Sequence, residues 1–318
     1  MKYNTKHLRK KVAKIKEKGY YKSQEKRKVD WAAYTLNQID DLKDTLHFIR
    51  DEVDRVYTRR NTRKVGRPSV DPGNLAKAIL FTEFNGLPER KAQGWIELLG
   101  QHMGIDENID DWVIGNGYKR LEVINILDRV FENVKGSDGN NGGDGTGLEK
   151  SRKENYESTK KKNTYMISIV DSREVVQAFE VGEKQECKIM RFLVDKLRKS
   201  VKSFTGDLTL DAGFVDRNLT QLIEEAGLEP YIYPKKNLTL KSRGKPAWNK
   251  MWLKLLKNTQ EWLKKYHVRS HTESFHSSFK RIFGIVTKQG YKSTYTQVLS
   301  RIIHNNRRKL SYHFMRVS

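Results

Sequence analysis

Apolar residues recur at helical spacing along the first 135 residues, and short β-rich runs replace that pattern beyond them. Between Val29 and Tyr57, Trp31, Tyr34, Ile39, Leu42, Leu46 and Ile49 follow the roughly 3.6-residue period of an amphipathic helix. TRRNTRKVGRPSVDPG interrupts it with glycine, proline and positive charge. NLAKAILFTEFNG, LPERKAQGWIELLG and GYKRLEVINILDRVFENV then supply three more helix-length segments. Short helices joined by tight turns suit a helix-turn-helix module, and equally a small bundle that never touches DNA.

The segment KGSDGNNGGDGTG, 135–147, has six glycines and no large apolar residue, so a loop or domain boundary is expected there. TYMISIV and VVQAFEV, separated by DSRE, read as a β-hairpin. KQECKIMRFLVDKLRKS reads as an amphipathic helix, DLTLDAGF as a strand ending in a turn and DRNLTQLIEEAG as a helix with Gly227 past its end. LEPYIYPK is a further short strand, and WNKMWLKLLKNTQEWLKKY opens a long helical stretch. Hairpin, helix, strand, helix, strand, helices is the order of an α/β domain with a mixed sheet, whose helix-linked strands pair in parallel. Three parts are expected: a basic arm over 1–30, a helical DNA-binding or dimerisation domain over 31–135, and the α/β domain over 136–318.

Charge changes this picture from a fold to a partner. The 318 residues carry 62 Lys and Arg against 39 Asp and Glu, a net charge of +23. The excess sits at the ends: residues 1–30 have a net charge of +9, residues 235–318 one of +18, and the middle is close to neutral at −4. Two basic ends suit a polyanion, and nucleic acid leads. Mean hydropathy is −0.77, and apolar runs such as AKAILF fall far below the roughly 20 residues of a spanning helix. The first 22 residues, charged throughout, lack the apolar stretch of a secretory signal. The lone Cys187 excludes an internal disulfide and a cysteine-built zinc site. A soluble, cytoplasmic, nucleoid-associated protein with no membrane contact is expected.

Against that basic background one carboxylate stands out. From Lys235 onward the only acids are Glu261 and Glu273, and Glu273 lies within YHVRSHTESFHSSFK, Tyr266 to Lys280. Treated as one helix, this segment gathers Tyr266, Arg269, Glu273 and Lys280 on one face and Val268, Phe275, Phe279 and Ile282 on the other. An Arg269–Glu273 i,i+4 pair on a solvated face would account for it, at a few tenths of a kcal/mol. His267 and His271 are also four apart, but Val268 stands where a zinc-protease helix needs Glu, so zinc is the lesser reading. An acid among cations makes chemical sense if it meets a divalent ion, because two-metal phosphodiester chemistry needs carboxylates from separate elements with basic groups around them.

Asp211 in TLDAGF, at the carboxyl end of an expected parallel strand, is the leading partner. Asp207 and Asp216 are possible substitutes, and capping of the following turn would equally explain Asp211. Asp144 in GGDGTGL is the other candidate. DGTG at 144, DAGF at 211 and the spacing Tyr266-x2-Arg269-x3-Glu273-x6-Lys280 resemble the DDE transposases of prokaryotic insertion sequences. The segment from Gly66 to Gly100 is similar to their N-terminal domain, so the resemblance covers most of residues 65–312.

The resemblance implies a ribonuclease-H-like mixed sheet with flanking helices, preceded by the helical domain, with the first acid on the first strand, the second on the fourth and the third on a later helix. It implies that Asp144, Asp211 and Glu273 ligate two Mg2+ ions, replaceable by Mn2+, and that Tyr266, Arg269 and Lys280 hold phosphates beside the cut. It further implies cleavage at terminal inverted repeats, transfer of the freed 3′-hydroxyl into double-stranded target DNA, and a homodimer on that DNA. Two other readings stay open: a DNA-binding protein of the same fold without catalysis, and a structure-specific nuclease. Asp138 to Glu149 also approaches a calcium loop, although Gly142 removes its fifth-position ligand. Arg67 in KVGRPS has the Arg-Pro core of a minor-groove arm, with an interdomain turn as the alternative. Trp248, Trp252 and Trp262 would stack on an unpaired base or, with Met251, Leu255 and Leu256 between them, line a helix's core face.

Overall fold

The computed structural model describes residues 3–17, 29–59, 69–149, 164–199 and 205–317. The KVGRPS arginine, Arg67, lies outside them. The chain divides into two compact units, one of Met1–Lys28, Gly136–Leu148 and Lys160–Ser278, the other of Val29–Lys135, Glu149–Thr159 and Phe279–Ser318.

The first unit is a five-stranded sheet in the order β3-β2-β1-β4-β5. Its strands are β1 (Asn140–Leu148), β2 (Thr164–Asp171), β3 (Val176–Gly182), β4 (Gly206–Leu210) and β5 (Leu228–Ile232). β1–β2 and β2–β3 are antiparallel, β1–β4 and β4–β5 parallel. This is the expected mixed α/β architecture, and it fits the ribonuclease-H-like class. Its helices are α1 (Thr5–Ile15), α8 (Glu186–Arg198), α9 (Arg217–Glu225), α10 (Pro246–Lys257), α11 (Thr259–Tyr266) and the first turns of α12 (Ser270–Phe283). Trp248, Trp252 and Trp262 are at most 3% exposed and belong to the core, so base stacking by them is excluded.

The glycine-rich stretch is not a loop: it is β1, the central strand. Local preference opposes it, since each glycine in a strand interior costs roughly 0.5–1 kcal/mol relative to alanine. Packing on both faces overrides that preference. A Cβ on Gly142 would lie 2.5 Å from Thr272 Oγ1 and 3.0 Å from Arg269 Cα, so the backbone after α11 can settle directly on the strand. On the opposite face a Cβ on Gly143 would meet Leu210 at 2.6 Å and Met190 at 2.9 Å, both core residues. The calcium-loop reading falls with the same observation, because its central positions form a β-ladder with β2.

The second unit is helical: α2 (Trp31–Ile39), α3 (Asp41–Val56), α4 (Pro72–Asn85), α5 (Glu89–Leu99), α6 (Asp111–Gly117) and α7 (Leu121–Asn133), with the later turns of α12 and the long α13 (Tyr291–Val317). The helical region expected over 29–57 consists of two helices, and its apolar stripe splits between them. Leu46 and Ile49 on α3 are buried, whereas Trp31, Tyr34, Ile39 and Leu42 are exposed. Asp71 caps α4 through Gly73 N at 2.8 Å with Pro72 at its first position, and Gly86 closes it at φ 60°, a left-handed conformation that suits glycine. No helix among the described residues is long and apolar enough to cross a membrane.

Candidate active site

Parallel pairing of β1 with β4 brings two of the three carboxylates together. The register ends at Gly143↔Leu210, so the next residues, Asp144 and Asp211, stand side by side where β4 terminates. Asp211 caps the short turn Ala212–Phe214, its Oδ1 accepting from Gly213 N at 2.7 Å. The capping role and the edge position therefore coexist in one residue. Asp207 lies at the opposite end of β4, paired with Lys265 at 2.9 Å, and Asp216 caps α9 through Leu219 N at 2.7 Å while bonding Arg191. Neither substitutes for Asp211.

The segment that carries Glu273 is not one helix. α11 ends at Tyr266, a 3-10 turn spans His267–Arg269, and α12 begins at Ser270. The break lets the chain lie on β1 at Gly142 and aims Arg269 at the strand edge. Arg269 bridges two acids: its Nη1 is 3.2 Å from Asp144 Oδ2, and its Nη2 bonds Glu273 Oε1. Phe275 and Phe279 form the buried face of α12, whereas Ile282, expected beside them, is 49% exposed. Lys280 is exposed two turns beyond Glu273 on the same helix. Ser168, the β-partner of Asp144, bonds His276 Nε2 at 2.9 Å with both residues buried, which anchors α12 to β2.

Burial pushes the Asp144 carboxyl up to about 6, against the opposing pull of the Gly145 amide and Arg269 and with Asp211 and Glu186 adding repulsion. The Tyr266 hydroxyl is pushed up to about 12, chiefly by burial. Its ring stacks on Trp262 at 5.7 Å and lies 5.1 Å from that of Tyr233.

Glu186, at the start of α8, is a carboxylate the sequence reading missed. Its Oε1 lies 2.6 Å from where a Gly145 Cβ would be, and burial and the charge of Asp211 raise its pKa. Nothing in GEKQEC signals this, because only the sheet order brings α8 beneath β1. Among the described residues no three His, Cys, Asp or Glu side chains converge closely enough to hold a metal ion, His267 and His271 included. The carboxylates are instead drawn together in pairs, one pair by the β1–β4 register and the other by Arg269.

The chain matches the transposase DDE domain family over residues 121–298, more than half its length. It is also 24% identical over 251 residues to a probable transposase for insertion sequence element ISA1214 of Archaeoglobus fulgidus, covering 76% of this chain and 75% of that one. No solved structure matches it. A mixed sheet with flanking helices, acids meeting on its central strands where β4 ends and a family match over the same residues lead to one conclusion: the chain belongs to the DDE-domain transposases of insertion sequences.

Proposed function

We propose that this transposase cuts DNA strands at the terminal inverted repeats of its element and joins the freed 3′-hydroxyl to target DNA, with Asp144, Asp211 and Glu273 as catalytic carboxylates. The observation that carries this reading is the meeting of Asp144 and Asp211 on adjacent parallel strands, with Arg269 tying Asp144 to Glu273. Three carboxylates are hard oxygen donors and suit Mg2+, with Mn2+ as a substitute. The half-buried Asp144 carboxylate, costly to ionise alone, also gains from a cation beside it. In the present arrangement the three do not converge on one point; drawn together by the cations, Asp144, Asp211 and Glu273 would hold two such ions, which when bound supply activation of the attacking oxygen and neutralisation of the leaving one.

The protein's own groups do the rest. Arg269 balances Asp144 and Glu273, and with Tyr266 and Lys280 it is suited to grip the phosphates beside the cut. The ring stack of Trp262, Tyr266 and Tyr233 fixes the position of the Tyr266 hydroxyl. Arg67 would add a minor-groove contact, residues 31–135 DNA binding or dimerisation, and two copies would act on paired ends.

The test is strand cleavage and joining on duplexes carrying the repeats that border the gene, with Mg2+ or Mn2+. Wild-type protein should give both nicked and joined products, and Asp211→Asn neither. If wild-type and variant bind the duplex and are equally inert, the protein is a DNA binder. If cutting needs no terminal repeat and joins nothing, it is a nuclease.

A further inference from the structure

The N-terminal basic helix α1 is part of the catalytic unit. Leu8, Val12 and Ile15 are at most 7% exposed and enter the same core as Trp248, Trp252 and Leu238. Polar contacts fix the docking: Arg9 Nε donates to Leu238 O at 3.1 Å, and Leu240 N donates to Thr5 Oγ1 at 3.3 Å. α1 is thereby fastened to loop 233–245, from a part of the chain more than 200 residues away.

This docking merges two basic surfaces. Opposite the buried stripe of α1, Lys6, Lys10 and Lys14 recur at i,i+4 and are exposed, and the helix contains no acid. Loop 233–245 also contains no acid, and its Lys235, Lys236 and Lys241 are exposed. Like charges at i,i+4 on a helix repel, so the lysine face of α1 is not arranged for the stability of the free protein. Three of the five lysines of α10 and α11 behave differently: Lys250 pairs with Glu224, Lys254 with Glu229 and Lys265 with Asp207. Lys6, Lys10, Lys14, Lys235, Lys236 and Lys241 have no carboxylate partner among the described residues, which leaves their charge available to an external anion.

The merged surface reaches the catalytic edge. Tyr233, which opens the loop, donates its backbone N–H to Leu210 O at 2.9 Å, the residue before Asp211. Its ring lies 5.1 Å from that of Tyr266 on one side and 5.3 Å from Lys16 Nζ, just past α1, on the other. Building on the reading of Asp144, Asp211 and Glu273 as the cutting site, we propose that α1 and loop 233–245 form one clamp for the phosphate backbone of duplex DNA running away from that site. Lysines without planar base-reading groups serve as point charges, so the clamp binds without regard to sequence.

The test is fluorescence anisotropy of full-length protein with a labelled 30-base-pair duplex of mixed sequence, measured across salt concentrations. Replacement of Lys6, Lys10 and Lys14 by Ala should weaken binding about tenfold and flatten the log K against log salt slope by about three units, because each lost phosphate contact removes roughly one. Alanine at Lys235, Lys236 and Lys241 should do the same. Arginine at the same positions should restore the slope, which separates lost charge from lost folding. Alanine at the ion-paired Lys250 and Lys254 should change the slope by less than about one unit. If wild-type protein binds with a steep slope and both triple alanine variants keep it, the clamp is refuted and the transposase reading stands. If wild-type protein does not bind this duplex at all, the clamp is refuted as well, and the transposase reading falls only if duplexes carrying the terminal repeats are also left unbound and uncut.

Discussion

Two constellations of charge, one in each unit, use the same residue types to opposite ends. In the helical unit Glu83 accepts from Tyr118 at 2.6 Å, Gln297 at 2.9 Å and Arg301 at 2.7 Å, and Arg301 also donates to Ile285 O at 3.1 Å. Both charged side chains are at most 5% exposed. In the sheet unit Arg269 joins Asp144 and Glu273, with the acids 19% and 57% exposed. The first set is closed and satisfied, and so it specifies packing. The second is open, and its carboxylates, one on the central strand and one on α12, retain unused lone pairs. Charge in a protein thus reads as structural or functional from how completely the surroundings satisfy it, not from its presence.

Removing the arginine from each set should separate the two most sharply. Arg301→Met leaves Glu83 buried without its counter-ion and should cost about 3–5 kcal/mol in denaturant unfolding. Arg269→Met, in the open set, should cost less than about 1 kcal/mol while reducing strand cleavage. Equal losses of stability would erase the distinction.

Asp144 offers a finer test with a definite sign. Its folded-state pKa, about 6, lies above the ordinary 3.8, so the native state binds the proton more tightly than the unfolded state. Stability from this group is therefore greatest below about pH 4, falls between pH 4 and 6, and is lowest above that range. Asp144→Asn should be more stable than wild type at pH 7.5, by about 1–3 kcal/mol, with the advantage gone near pH 4. Thermal melts at the two pH values measure this, and a variant less stable at pH 7.5 would show that Arg269 outweighs burial.

The most local comparison sets two glycines of one strand side by side. Gly142→Ala should destabilise by about 1–3 kcal/mol, because its methyl would push against Thr272 and the Arg269 backbone. Gly147→Ala meets nothing within 4 Å and should be close to neutral. Equal melting temperatures would mean that the close approach at Gly142 is not tight.

How much of this was legible beforehand follows from where the information lies. The hairpin, the helix–strand alternation and the tryptophan-lined core face were readable because each depends on local periodicity. The placement of Asp211 at a strand end and the contact of Glu273 with Arg269 were readable because each acid sits in a contrast visible along the chain. β1 was readable only through the family resemblance, since glycines carry no β signal, and they make sense only beside Thr272, Leu210 and Met190. Glu186 was hidden for the same reason, and so was the break at His267–Arg269, which the wheel drew as continuous helix. The exposed Trp31 and Ile39 shared a period with the buried Leu46 and Ile49, but Asp40 ends one helix as the next begins, so the common stripe was fictitious.

The most direct test of the account is a Mn2+ titration of the intact protein, followed by calorimetry and by thermal shift at pH 7.5. Wild-type protein should bind the ion and melt at a higher temperature as its concentration rises, while Asp144→Asn, Asp211→Asn and Glu273→Gln should each lose most of that binding with their folds intact. Binding that is indistinguishable across all four proteins would contradict the assignment of these carboxylates to one cation site.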